Sequence, residues 1–377
     1  IMLGLYIHVP FCAQKCYYCD FNSYKIKSNE KEDYLINIER EMHLYKDEFK
    51  DKYFDTVFLG GGTPSILKAE ELSRLFYKLH ENFNIKKDAE ITIECNPGTI
   101  NKEKLKFMKK MGINRLSIGL QAVQNYHLKS IGRIHTYEEF ERNYYDAIDV
   151  GFNNINIDLM YALPNQKEDE WRETLNKIIS LNPSHISAYS LILEEGTKLY
   201  DMYENNEFKL LDEDTDIKMY EYTINTLKKY GYNQYEISNY AKTEKECKHN
   251  IIYWKCDNYL GLGPGASGYI DNKRYSNVEN LKTYNGKLSK NLKPINEEIQ
   301  LSEKDKIEEF IFMGLRMNEG INLDVFKERF NIEFLDLYKD ILDKLIENKL
   351  LKLDGSNIML TQKGREISNS VFIEFIN

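Results

Sequence analysis

The chain has 377 residues, 42% hydrophobic and 29% charged, ordinary globular usage that supplies a sizeable core and excludes both a single small module and a mainly disordered protein. Lys plus Arg number 51 against 60 Asp plus Glu, a formal net charge of −9, which excludes nucleic acid or an anionic membrane surface as the main partner. No apolar run approaches the ~18 to 20 residues of a membrane span, no signal peptide is legible, and six cysteines are too few for a disulfide scaffold, so the expectation is a cytoplasmic protein in a reducing compartment.

Short apolar or β-branched runs then alternate with stretches of helical period. Leu3 to Val9 predicts a strand, followed by a helix from about Glu30; Thr56 to Leu59 predicts the next, followed by a helix from about Ala69. Glu90 to Ile93 precedes a Lys-rich helix ending at Gly112, Arg115 to Ile118 precedes a helix ending at Gly151, and Asn154 to Met160 precedes a helix around Trp171. His185 to Leu191 is a sixth strand. Six strand–helix units in succession predict an α/β fold, a partial (β/α)6 TIM-like barrel two units short of closure and open at one side. Chemistry on such a fold belongs just after the strands.

From about Asn296 the pattern changes to helices at Lys304 to Met317, Leu323 to Phe330 and Leu335 to Asn348, then strands Leu350 to Leu353 and Ile358 to Leu360 around an Asp354-Gly355 turn. This predicts a small winged-helix-like C-terminal domain. Its 11 basic and 15 acidic residues from Leu301 onward favour protein contact or lid duty over DNA binding. The expected division is 1–235 for the barrel, with a cysteine loop at 10–24; 236–295 for an extension ending in a linker at Leu281 to Lys293; and 296–377 for the C-terminal domain.

Cys12-Ala-Gln-Lys-Cys16-Tyr-Tyr-Cys19 follows the first strand directly, and thiolates at this spacing on a loop can wrap one corner of a cubane iron–sulfur cluster. Residues 20 and 21 are Asp and Phe, so one iron would stay open to a non-protein ligand. A zinc knuckle is the competing reading, and it wants a fourth Cys or His that the loop does not offer. Gly60 to Thr63 ends the second strand, suited either to close backbone approach by a ligand or to a tight turn with Pro64 opening a helix. Glu94 ends the third strand, where a carboxylate can accept hydrogen bonds from hydroxyls or simply be solvated. The glycines of Tyr259-Leu-Gly-Leu-Gly-Pro-Gly-Ala-Ser-Gly268 superficially suggest a dinucleotide loop, but Pro264 removes an N–H and no matching acid follows.

The cysteine motif, with an aromatic residue before its last Cys, resembles the radical S-adenosylmethionine (SAM) superfamily. His8-Val-Pro-Phe-Cys12, Cys19-Asp-Phe21, Gly60-Gly-Gly-Thr-Pro64, Glu94-Cys-Asn-Pro97, Arg115-Leu-Ser-Ile-Gly-Leu-Gln121 and Asp158-Leu-Met-Tyr-Ala-Leu-Pro164 resemble its oxygen-independent coproporphyrinogen oxidase group over almost the whole chain. His249-Asn-Ile-Ile-Tyr253-Trp254 is similar to the signature of that group's heme-chaperone branch.

The resemblance implies a [4Fe-4S] cluster on Cys12, Cys16 and Cys19, with SAM chelating the fourth iron and an electron donor able to drive its cleavage to a 5′-deoxyadenosyl radical. It implies SAM contacts from Tyr6, Tyr18, Gly61, Gly62, Thr63 and Glu94, with the glycine loop closing over the adenine. Gln121, Arg133 and Asp158 match positions that contact a second SAM in dehydrogenase relatives; they are read as a second SAM or substrate site, or as a buried polar network. His249, Tyr253 and Trp254 imply heme contact, with a capped loop histidine and a Trp in the barrel mouth as the competing reading. Phe21, where dehydrogenases of the group carry a further Cys, and a start directly at the first strand without their extension favour a heme chaperone over a coproporphyrinogen III dehydrogenase. The implied partners are heme and acceptor hemoproteins, membrane-bound cytochromes among them, for a monomer or homodimer.

Overall fold

The computed structural model describes residues 2–376. Six strands, β1 (Leu3–Val9), β2 (Tyr53–Gly61), β3 (Asn84–Cys95), β4 (Arg115–Gln121), β5 (Ile155–Tyr161) and β6 (His185–Ser190), pair in that order and in parallel. Two short strands, β7 (Asn233–Gln234) and β8 (Asn239–Ala241), close the β6 edge in antiparallel fashion. The α/β partial barrel read from the strand–helix alternation is therefore present.

The side-chain period of two gives each strand an outer and an inner face. On β4, Leu116, Ile118 and Leu120 are fully buried, all three in the main hydrophobic cluster beneath the helices. Arg115, Ser117, Gly119 and Gln121 alternate with them and line cavities inside the barrel. A closed TIM barrel fills its interior with branched apolar side chains; this one is polar inside, which leaves room for a ligand. Outside, helix α1 (Ser28–Phe49) packs beside α2 (Ala69–Asn82). Helix α3 (Tyr137–Val150) starts with a Thr136–Glu139 capping box and stops at Gly151, φ +93°.

The region after 235 departs from expectation in three places. Asn258–Leu262 is a strand, β9, parallel to β1 from Leu3↔Asn258 to Ile7↔Leu262, so the glycine segment begins inside the sheet. A Cβ on Gly261 would lie 1.9 Å from the Ser267 carbonyl oxygen, which is why the position takes glycine. Strands β10 (Ser267–Ile270), β11 (Lys273–Asn277) and β12 (Ile295–Gln300) continue the sheet antiparallel to twelve strands. His249, which the competing reading put on a loop, lies on helix α4 (Lys248–Trp254). The expected linker forms helix α5 (Leu281–Leu288), which buries Leu281, Tyr284 and Leu288; its apolar period was present but short.

The C-terminal region has its own hydrophobic cluster, formed by helices Glu303–Gly314, Leu323–Phe330 and Phe334–Glu347 with a three-stranded sheet. It is winged-helix-like, as the sequence pattern predicts. It docks against the amino-terminal ends of the barrel strands: Asn318 N–H donates to the Tyr235 carbonyl at 2.9 Å, and Arg329 donates to the Lys255 carbonyl at 2.7 Å.

Candidate functional site

The cysteine loop is fixed at its base by backbone. Phe11–Cys12 pairs with Tyr24–Lys25, and the end of β2 is sewn on by Gly62 N–H to the Val9 carbonyl and Thr63 N–H to the Phe11 carbonyl, each 2.8 Å. A Cβ on Gly62 would sit 2.7 Å from the Phe11 carbonyl oxygen, and one on Gly61, at φ +107°, 2.5 Å from the His8 ring. These glycines therefore admit the cysteine loop itself. His8 reaches the far end of that loop: its Nε2 is 2.7 Å from the Asn22 carbonyl oxygen, and its Nδ1 is 3.0 Å from the Tyr6 hydroxyl.

Cys12, Cys16 and Cys19 all line one cavity of about 360 Å³ at the carboxyl ends of the strands, together with Tyr18, Phe21, Gly61, Gly62, Thr63 and Glu94. Thr63 Oγ1 donates to Cys12 Sγ at 3.5 Å and Arg133 Nη1 to Cys16 Sγ at 3.5 Å. Burial pushes the Cys19 thiol up to about 11 and raises Cys12 as well. Among the described residues no three His, Cys, Asp or Glu side chains are spaced to hold a single metal ion. Cys95 also borders the cavity, but it sits at the end of β3 and its thiol donates to the Ile93 carbonyl at 3.8 Å. The three soft thiols of the loop, two of them with donors aimed at their sulfurs, fit three corners of a cubane better than one tetrahedral zinc.

Gln121, Arg133 and Asp158 enter the same cavity. Gln121 adopts φ +75°, a conformation uncommon for a side chain of this kind, at the strand end. Arg133 also donates to Asn96 Oδ1 at 2.8 Å and to the Gly119 carbonyl. Asp158 accepts from Asn156 Nδ2 at 2.8 Å and Ser117 Oγ at 3.1 Å. Glu94 accepts the Gly61 N–H at 3.1 Å; burial first, and then the Asp158 charge, push its carboxyl up to about 8.

Below lies a second cavity of about 340 Å³, lined by Tyr6, Phe58, Arg115, Asn156, His249 and Tyr253. It shares Glu94, Ser117, Asp158 and Tyr189 with the upper one, so the two adjoin along the barrel lumen. Tyr6 lies in this lower part and reaches the cysteine loop only through His8. His249 is 1% exposed, with Nδ1 2.6 Å from Thr56 Oγ1 and Nε2 2.7 Å from the Tyr253 hydroxyl. Burial, with the Arg115 charge adding to it, lowers the imidazole pKa to about 3. Trp254 lines neither cavity; the Arg316 guanidinium of the C-terminal domain lies over its ring at 5.6 Å. The glycines of 261–268 also line neither: Gly263 and Gly265 press on His8 and Asn22, bracing the loop from behind. Arg115, Asn156 and Tyr189 escaped sequence reasoning, although polar residues at every second position of apolar strands were a signal for an inward polar face.

A parallel partial barrel with three thiols on the loop after its first strand, facing a cavity over the strand ends, defines a radical SAM protein. The radical SAM superfamily model matches residues 6–178 and the HemN C-terminal domain model residues 301–367. The chain is 39% identical over 375 residues to the heme chaperone HemW of Lactococcus lactis subsp. lactis, covering 98% of this chain and 96% of that protein. It is 35% identical to the HemW of Bacillus subtilis over 100% of this chain and 99% of that one. The solved structure of coproporphyrinogen III oxidase HemN from Escherichia coli, described as a radical SAM enzyme, matches with TM-score 0.87 at 25% identity, over 99% of this chain and 90% of that one. The chain belongs to the HemW family of radical SAM proteins. Membership implies a [4Fe-4S] cluster and SAM.

Proposed function

We propose that this protein is a heme chaperone that holds a [4Fe-4S] cluster on Cys12, Cys16 and Cys19, binds SAM beside it, and takes up heme for delivery to acceptor hemoproteins. The cluster, when bound, supplies an open iron for SAM and an electron from an external donor. The chain's own groups do the rest: Tyr18 walls the upper cavity against water, Glu94 offers an acceptor for ribose hydroxyls, and Arg133 places a positive charge beside Cys16. Gln121 and Asp158 extend this polar wall toward a second SAM or substrate.

The observation that carries the chaperone reading is Phe21. It is 60% exposed on the rim of the cysteine cavity and occupies the position where dehydrogenases of the group carry another thiol. The names of the full-length relatives point the same way. Heme contact is assigned to the His249–Tyr253 end of the lumen, where the Tyr253 hydroxyl must release His249 Nε2 before that nitrogen can meet iron. Trp254 acts one step behind, through helix α4. No helix among the described residues is long and apolar enough to cross a membrane.

The test is anaerobic reconstitution followed by two assays: heme addition, read by a Soret shift, and coproporphyrinogen with SAM and reductant, read by product formation. Heme uptake without turnover is expected; sustained decarboxylation favours the dehydrogenase instead.

A further inference from the structure

Arg115 opens β4 and faces the lower cavity, which none of the three loop thiols lines. Its side chain is 2% exposed, yet its Nε has no hydrogen-bond partner. A buried charged donor left unpaired is costly. The carboxylates around it are spent on other donors. Glu90 accepts the backbone N–H groups of Lys248 and His249, each at 3.2 Å, and the Cys247 thiol at 3.6 Å. Asp158 accepts from Asn156 and Ser117, and Glu94 from Gly61. Asn250 and Tyr189 add an amide and a hydroxyl to the same walls. A roomy cavity with convergent polar groups and a buried, incompletely satisfied cation is a site built for an anionic group.

We propose that the lower lumen is a carboxylate-binding site anchored by Arg115. The identity of the ligand rests on the heme reading, under which the carboxylate is a propionate of the bound heme; the anchor itself does not depend on it. Planar, bidentate recognition of a carboxylate is what a guanidinium does better than an ammonium.

The cluster-loaded protein is titrated with hemin and with hemin dimethyl ester, whose propionates are blocked. In parallel, its melting temperature is read in sodium propionate against sodium chloride at equal ionic strength. The ester is expected to bind about tenfold more weakly, ~1.4 kcal/mol, and propionate to raise the melting temperature. Arg115→Gln should abolish both differences, and Arg115→Lys should restore them in part. If the wild-type protein shows neither difference, or if either persists in Arg115→Gln, the site is overturned. The wild-type arms decide this even where a variant fails to fold. A propionate-specific shift without heme uptake keeps the carboxylate site and overturns the heme reading.

Discussion

The Tyr253 hydroxyl lies 2.7 Å from His249 Nε2, one turn apart on the same helix, and closes the amino-terminal end of the barrel. With Thr56 on the other ring nitrogen, the imidazole is fully hydrogen-bonded and buried, so it ties helix α4 to β2. His249→Ala should lower stability by ~2–4 kcal/mol, the combined loss of packing and of two buried partners' hydrogen bonds. Urea denaturation measures it. Tyr253→Phe should cost only ~1 kcal/mol, and by freeing Nε2 it should strengthen a histidine-ligated heme spectrum, read by absorption.

Gly62 and Gly286 are opposite cases. A Cβ at Gly62 meets the Phe11 backbone, whereas one at Gly286, inside helix α5, meets nothing within 4 Å. Gly62→Ala should destabilise by ~1–3 kcal/mol and reduce the iron retained after reconstitution. Gly286→Ala should stabilise by ~0.5–1 kcal/mol. Thermal melts and iron analysis of the two variants check both.

Arg133 donates to the Cys16 sulfur, and a cation there favours the more negative, reduced cluster. Arg133→Gln should therefore make the cluster midpoint potential more negative, by ~60 mV for each ~1.4 kcal/mol of lost interaction in a one-electron couple. Arg133→Lys should fall between. A redox titration followed by electron paramagnetic resonance reads the order.

Glu94 couples stability to pH. Burial first, and Asp158 second, raise its folded pKa to about 8, against ~4.3 in an unfolded chain. The folded state holds this proton more tightly, so its contribution is complete below pH ~4.3 and is lost as pH rises toward about 8. Melting temperatures of the metal-free protein should fall across that window more steeply than those of Glu94→Gln, and a matching slope in the variant would remove Glu94 as the cause.

Periodicity was strong where strands are long and buried. The strand Leu3–Val9, and likewise the helix Leu323–Phe330, were read with the bounds the structure has, and Arg115 to Ile118 lacked only the last three residues of its strand, which ends at Gln121 where φ becomes positive. The thiol loop was legible because its chemistry depends on local spacing. Helix α4 and strand β9 were not: seven and five residues are too short to declare a period, and both are held by distant groups, Glu90 for the first and β1 for the second. Arg115 was quoted only as a motif letter, since its isolation inside the lumen is set by Glu90, Asn156 and Asp158, which come from other strands.

The account stands most directly on the open vertex of the cluster. Protein reconstituted without oxygen, then reduced, is examined by electron paramagnetic resonance with and without SAM. The account predicts a [4Fe-4S] signal that changes when SAM is added and disappears in Cys16→Ala. Stoichiometric zinc in place of iron, or a cluster signal indifferent to SAM, would contradict it.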